Sequence, residues 1–180
     1  AWLDASGNFW LFGGSGNGAT VSIGYLNDLW KFNVSTSNWT WVKGASTINA
    51  SGTYGAQGTA ANDNTPSARL GAATWTDSSG ALWLFGGIGV GGYTYYDDLW
   101  KFDGTDWTWV KGSSTGNVAG TYGTRGTTSS TSNPGARSYA GARLDNNGIV
   151  WLFGGYGYPS TVSVGYLNDL WKFDGTNWTW

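Results

Sequence analysis

The amino-acid sequence predicts an all-β protein made of three copies of one four-stranded antiparallel unit, and three observations carry that reading. The same three runs recur in the same order. Phe9-Trp10-Leu11-Phe12-Gly13-Gly14, Leu29-Trp30-Lys31-Phe32 and Trp39-Thr40-Trp41 return at 82–87, 99–102 and 107–109, and again at 150–155, 170–173 and 178–180. The runs are short, aromatic or β-branched, and bounded by Gly, Asn, Asp and Ser, as strands separated by turns are. No window sustains a helical period. Phe12 and Phe85 are 73 residues apart and Phe85 and Phe153 are 68 apart, a repeat that sets the architecture before any local reading.

The middle unit is complete and serves as the template. Residues 67–76 form a small-residue first strand, Asp77-Ser78-Ser79-Gly80 its turn, and 81–87 the second strand. A loop from Ile88 to Asp98 leads to the third strand, Leu99-Trp100-Lys101-Phe102. The turn Asp103-Gly104-Thr105-Asp106, with Gly where a hairpin needs positive φ, leads to the fourth, 107–111. The stretch from a fourth strand to the next first strand repeats too. Trp39 to Arg69 and Trp107 to Arg137 each span 30 residues, and both hold a Thr-Tyr-Gly and a Pro, at 53–55 with Pro66 and at 121–123 with Pro134. A floppy linker has no reason to keep length and landmarks, so this is an ordered excursion anchored by Tyr54 and Tyr122.

This pattern resembles the blade of a kelch-type β-propeller. The double glycines Gly13-Gly14, Gly86-Gly87 and Gly154-Gly155 carry the likeness, with Trp30, Trp100 and Trp171 in the third strands and Trp39, Trp107 and Trp178 opening the fourth. The resemblance spans the chain and implies a kelch-like propeller segment. Its blades are 1–43, 67–111 and 135–180, joined by excursions 44–66 and 112–134. The units exceed the usual kelch length of about 50 residues, and the excess lies in the excursions. The resemblance also implies that the small-residue strand is innermost and the Trp-Thr-Trp strand outermost. Long second-to-third loops and excursions then emerge on one face and tight turns on the other. The blades are similar as well to those in the central domain of galactose oxidases, whose copper chemistry needs His and Cys that this chain lacks.

Three blades fall short of the roughly four at which closed propellers begin. The sequence starts at the tail of a first strand and stops inside a fourth, and its terminal units look like interior ones rather than polar caps. The expectation is part of a larger closed propeller, completed by further blades of the same chain or by other copies of it.

Composition bounds the chemistry. The 180 residues include 14 Trp, 10 Tyr and 7 Phe with 11% charged residues, a core-forming rather than disordered profile. Cys, His, Met and Glu are absent, which removes thiol chemistry, the usual zinc and copper ligands and the commonest general base; no cofactor or metal is expected. A net charge of -2 gives no footprint for nucleic acid, and no apolar run reaches membrane-spanning length. Nothing at the start resembles a signal peptide. The Gly, Ser, Thr, Asn and Trp bias suits a processed bacterial protein that is extracellular or at the cell surface.

The loops Ser15–Asp28, Ile88–Asp98 and Tyr156–Asp169 carry most of the tyrosines on the long-loop face. Tyr25 and Tyr166, at equivalent positions, read as packing anchors. Tyr93, Tyr95, Tyr96, Tyr156 and Tyr158 are less regular and are candidates for stacking on a ligand. Arg125, whose counterpart is Gln57, is the candidate non-structural charge. Arg69 and Arg137 form either a positive ring at the channel mouth or structural pairs with Asp98 and Asp169. Turn carboxylates such as Asp4, Asp77, Asp145, Asp103 and Asp174 repeat by unit and read as structural. Asp63 and Asp97 do not repeat, and no carboxylate pair of the glycosidase kind is evident. Asn33, Asn38, Asn49 and Asn177 head sequons that read as strand-edge residues.

Two functions follow from the resemblance. One is a non-catalytic binding or assembly module whose long-loop face takes a protein or a glycan. The alternative is the propeller part of a larger secreted carbohydrate-active enzyme whose catalytic residues lie outside this segment.

Overall fold

The computed structural model describes residues 1–19, 22–161 and 163–180; Thr20 and Val21 of the first predicted loop, and Val162 of the third, lie outside the described residues. The described chain forms three antiparallel sheets in sequence order. Sheet one holds β1 (Trp2–Leu3), β2 (Phe9–Asn17), β3 (Ile23–Asn33) and β4 (Asn38–Lys43), laid side by side in that order. Sheet two holds β5 (Ala60–Ala61), β6 (Ala73–Thr76), β7 (Leu82–Phe85), β8 (Leu99–Phe102) and β9 (Trp107–Lys111), in the order β5-β9-β8-β7-β6. Sheet three holds β10 (Arg137–Ser138), β11 (Gly141–Leu144), β12 (Val150–Gly157), β13 (Gly165–Phe173) and β14 (Trp178–Thr179), with β10 and β11 both on β12.

The middle sheet is buried on both faces because its strands alternate between two sets of large apolar side chains. Leu82, Leu84, Trp100, Phe102 and Trp107 pack with Trp2, Trp10 and Leu29 of sheet one. Ala73, Trp75, Trp83, Phe85 and Leu99 pack with Val150, Leu152, Trp171, Phe173 and Trp178 of sheet three. Each buried tryptophan removes roughly 150–250 Å² from water. These two seams, not the hairpins, hold the sheets together.

The double glycines make the seams possible. Gly86 and Gly87 sit at φ 68° and 107°, and their counterparts in the other sheets share the conformation. A Cβ on Gly86 would lie 2.5 Å from the Arg137 carbonyl oxygen. Gly87 N donates to that same oxygen at 2.8 Å, and Gly14 N donates to the Arg69 oxygen in the same way. The double glycines of sheets one and two therefore bond each sheet to the Arg69 and Arg137 segments of the next.

The structure departs from the sequence reading in three places. The first strand is not continuous over 67–76. Leu70 makes an isolated bridge to Ile88, Gly71 turns left-handed at φ 66°, and the strand resumes at Ala73. In sheet three the same break falls at Tyr139. Much of the predicted loops Ser15–Asp28 and Tyr156–Asp169 is strand instead. Beyond the bulge at Gly13 and Gly154, β2 with β3 and β12 with β13 pair onward to Asn17↔Ile23 and Gly157↔Gly165. Finally, the excursions are edges of the following sheet. Ala60 and Ala61 pair with Thr108 and Trp107, and Ser129 bridges Trp178.

Among the described residues no helix is long and apolar enough to cross a membrane.

Candidate functional site

Each excursion delivers a tyrosine, and the segment just after it an arginine, to the sheet that follows. Arg69 is fully buried and grips Asp98 through Nη1 and Nη2, while its Nε donates to the Ser67 carbonyl. Tyr54 donates its hydroxyl to the same carboxylate at 2.7 Å, Trp100 Nε1 donates at 2.8 Å, and the Tyr54 ring lies 5.0 Å from the Trp100 ring. Sheet three repeats the network with Arg137, Asp169, Tyr122 and Trp171. Burial and then the bond to Asp169 push the Tyr122 hydroxyl up to about 12. Burial works against the Asp169 charge, yet Arg137 holds that carboxyl below its usual range. The arginines are enclosed by their own sheets, so they form no positive ring at a channel mouth.

The loop ends of the three sheets converge on a different chemistry. Tyr95 is buried at the centre, 5.9 Å from the Tyr156 ring and 6.0 Å from the Tyr158 ring. Tyr166 stands edge-on to Tyr156 at 4.9 Å. Burial first, and then the neighbouring tyrosines, raise the Tyr95 hydroxyl above its ordinary value, while the Tyr25 hydroxyl lies 3.7 Å from where a Cβ on Gly92 would stand and the Tyr139 ring lies against Gly71. The group draws on all three sheets, with Tyr25 from the first, Tyr95 from the second and the rest from the third.

Two of these tyrosines behave differently from the sequence reading. Tyr95 stands at the position of Tyr25 and Tyr166, three residues before the Asp of the motif Asp-Leu-Trp, so it is the regular member rather than an irregular one. Its backbone N donates to Asn117 Oδ1 at 2.8 Å, as Tyr25 N does to Asn49 Oδ1 at 2.9 Å. Tyr166 is not a buried anchor but 92% exposed. Its strand is the outer sheet's, with nothing packed over that end.

Tyr139 was not singled out by sequence, and it is the most unusual residue of the group. It adopts φ 57°, is 68% exposed, and occupies the position that Gly71 fills in sheet two. A bulky side chain held in the left-handed region costs on the order of 1–2 kcal/mol. The signal was present in the alignment of Arg69-Leu70-Gly71 with Arg137-Ser138-Tyr139.

Of the remaining candidates, Tyr96 and Tyr93 do not join this surface, and Arg125 meets it only at the recess that Tyr166 also lines. Tyr96 is buried with its ring 4.1 Å from the Arg69 guanidinium, a packing role. Tyr93 is exposed beside the 3-10 turn Val90–Gly92. Arg125 is exposed at the rim of a recess of about 870 Å³ on the outward face of sheet three, lined also by Tyr122, Trp151, Leu170 and Trp180.

Asp97 has counterparts after all, Asn27 and Asn168, and is a buried carboxylate in an amide position. Asn27 Nδ2 donates to the Pro66 carbonyl; at the equivalent place Asn133 Nδ2 donates both to Asp97 Oδ2 at 2.7 Å and to the Pro134 carbonyl. Burial, with Asp98 alongside, pushes Asp97 up to about 7. Asp77 shows the structural role of the turn carboxylates, accepting from Ser79 N, Ala81 N and Trp83 Nε1. Among the described residues no group of three or more His, Cys, Asp or Glu side chains could hold a metal ion.

Comparison of the sequence with protein-family models and with curated proteins finds no match.

Proposed function

We propose that this chain is a non-catalytic binding module, a segment of a kelch-like β-propeller that presents its tyrosine-lined loop face to a neutral glycan outside the cell or at its surface. The observation that carries this reading is the cluster of the Tyr95, Tyr156, Tyr158 and Tyr166 rings where the loop ends of the second and third sheets meet. Tyrosine rings give flat apolar area for a sugar face, and their hydroxyls give hydrogen bonds at its edge. The strained Tyr139 supports the reading, because a residue kept at positive φ where glycine would fit is retained for its side chain. Kelch-like organisation is supported by the repeated four-stranded order and by the double glycines that bond each sheet to the next.

Affinity electrophoresis of the chain through gels containing neutral polysaccharides tests the proposal. Retardation by at least one polysaccharide, lost in Tyr166→Ala, is expected. Unretarded migration in every gel, with binding to a protein partner instead, removes the glycan reading.

A further inference from the structure

The outer sheets each turn one apolar face away from the middle sheet, and these are the two kinds of face that meet inside the molecule. Leu29 and Leu99 are 0% exposed where their sheets meet the next sheet, while their counterpart Leu170 is 47% exposed. On the opposite kind of face Trp107 and Trp178 are 0% exposed, and their counterpart Trp39 is 52% exposed. The same residue types occur at all three copies, so the difference is only whether a neighbouring sheet is present.

The internal seams give the geometry of the missing contact. Phe12 meets Trp107 at 5.5 Å and Phe85 meets Trp178 at 5.3 Å. Trp10 meets Phe102 at 5.7 Å, and Trp83 meets Phe173 at 5.8 Å. The next step of this series sets Phe153 on Trp39 and Trp151 on Phe32. Both Phe153 and Trp151 stand exposed on sheet three, and Trp151 lines the recess there.

We infer that two copies of this chain associate head to tail, the open face of sheet three in each seated on the open face of sheet one in the other. The occupant is a second copy because the two open faces repeat the two sides of seams that this chain already makes twice. Such an interface joins unlike patches, so it either closes a ring or grows without limit. Two copies supply six sheets, within the roughly four to eight blades of closed propellers, whereas one copy supplies too few.

The test is native mass spectrometry with sedimentation velocity on the 180-residue chain and on Trp39→Lys and Phe153→Asp. The wild type is expected at twice the 19.1 kDa chain mass. Each variant alone is expected to be a monomer, and an equimolar mixture of the two a heterodimer. In that mixture one interface pairs Lys with Asp and the other is wild type. Near-ultraviolet circular dichroism checks that each variant keeps its aromatic packing, and Leu170→Asp replaces Phe153→Asp if that one does not. A monomeric wild type, an open polymer, a dimer that survives either variant, or a mixture that stays monomeric overturns the inference.

Discussion

Arg69 and Asp98 meet through two parallel hydrogen bonds, at 2.5 and 2.7 Å, with both side chains wholly out of water. Removing one partner leaves the other charge buried and unpaired. Asp98→Ala is therefore expected to cost about 3–5 kcal/mol. Tyr54→Phe, which removes one bond to the charged carboxylate, is expected to cost about 1.5–3 kcal/mol. Urea unfolding followed by tryptophan fluorescence measures both.

Gly86 tests the seam from the backbone side. Its φ of 68° and the Arg137 oxygen 2.5 Å from a notional Cβ leave no room for alanine. Gly86→Ala is expected to lose at least about 2 kcal/mol, more than the left-handed penalty alone. A similar loss in Gly80→Ala, where φ is also positive but nothing lies within 4 Å, would show that the seam adds nothing.

Asp97 predicts a pH dependence. Its carboxyl is raised in the folded protein to about 7 from the ordinary 3.8. The stability it supports is fully present below pH 3.8 and is lost as pH rises through about 7. Asp97→Asn, which restores the Asn27 arrangement, is expected to flatten the melting temperature across that window and to raise it at pH 8. Asp4 works in the opposite sense. Burial raises it, but bonds from Trp10 and Asn8 prevail and hold it at about 2, so its contribution is lost as pH falls from 3.8 through 2. Thermal melts from pH 2 to pH 8 separate the two.

Tyr139→Gly is expected to leave stability unchanged or raise it by up to about 1 kcal/mol, since relief of the left-handed strain outweighs the added chain entropy. The same change is expected to weaken glycan retention. Gel retardation and a melt on one sample check the pair of outcomes. Loss of stability with unchanged retention would assign Tyr139 a structural role.

Where side chains alternate between two buried faces, the sequence was readable to the residue. Leu99–Phe102 and Trp107–Lys111 are strands at the bounds expected from the pattern of large apolar residues. The first strand was less legible because small residues carry no period, and nothing in Leu70-Gly71-Ala72 announces a left-handed turn. Ala60-Ala61 gave no strand signal, since its pairing depends on β9 lying beside it. The tyrosine surface was half legible. Tyr95, Tyr156 and Tyr158 were candidates, but unequal loop lengths hid the equivalence of Tyr95 with Tyr25, and Tyr139 sat in a first strand read as one of small residues.

The most direct measurement is a two-dimensional NMR titration of tyrosine-ring-labelled protein with cellohexaose, xylohexaose and maltohexaose. At least one sugar is expected to shift the ring signals of Tyr139, Tyr156 and Tyr166 together and to leave Tyr54 and Tyr122 unmoved. Unshifted rings with all three sugars, or shifts confined to Tyr54 and Tyr122, would contradict the glycan reading.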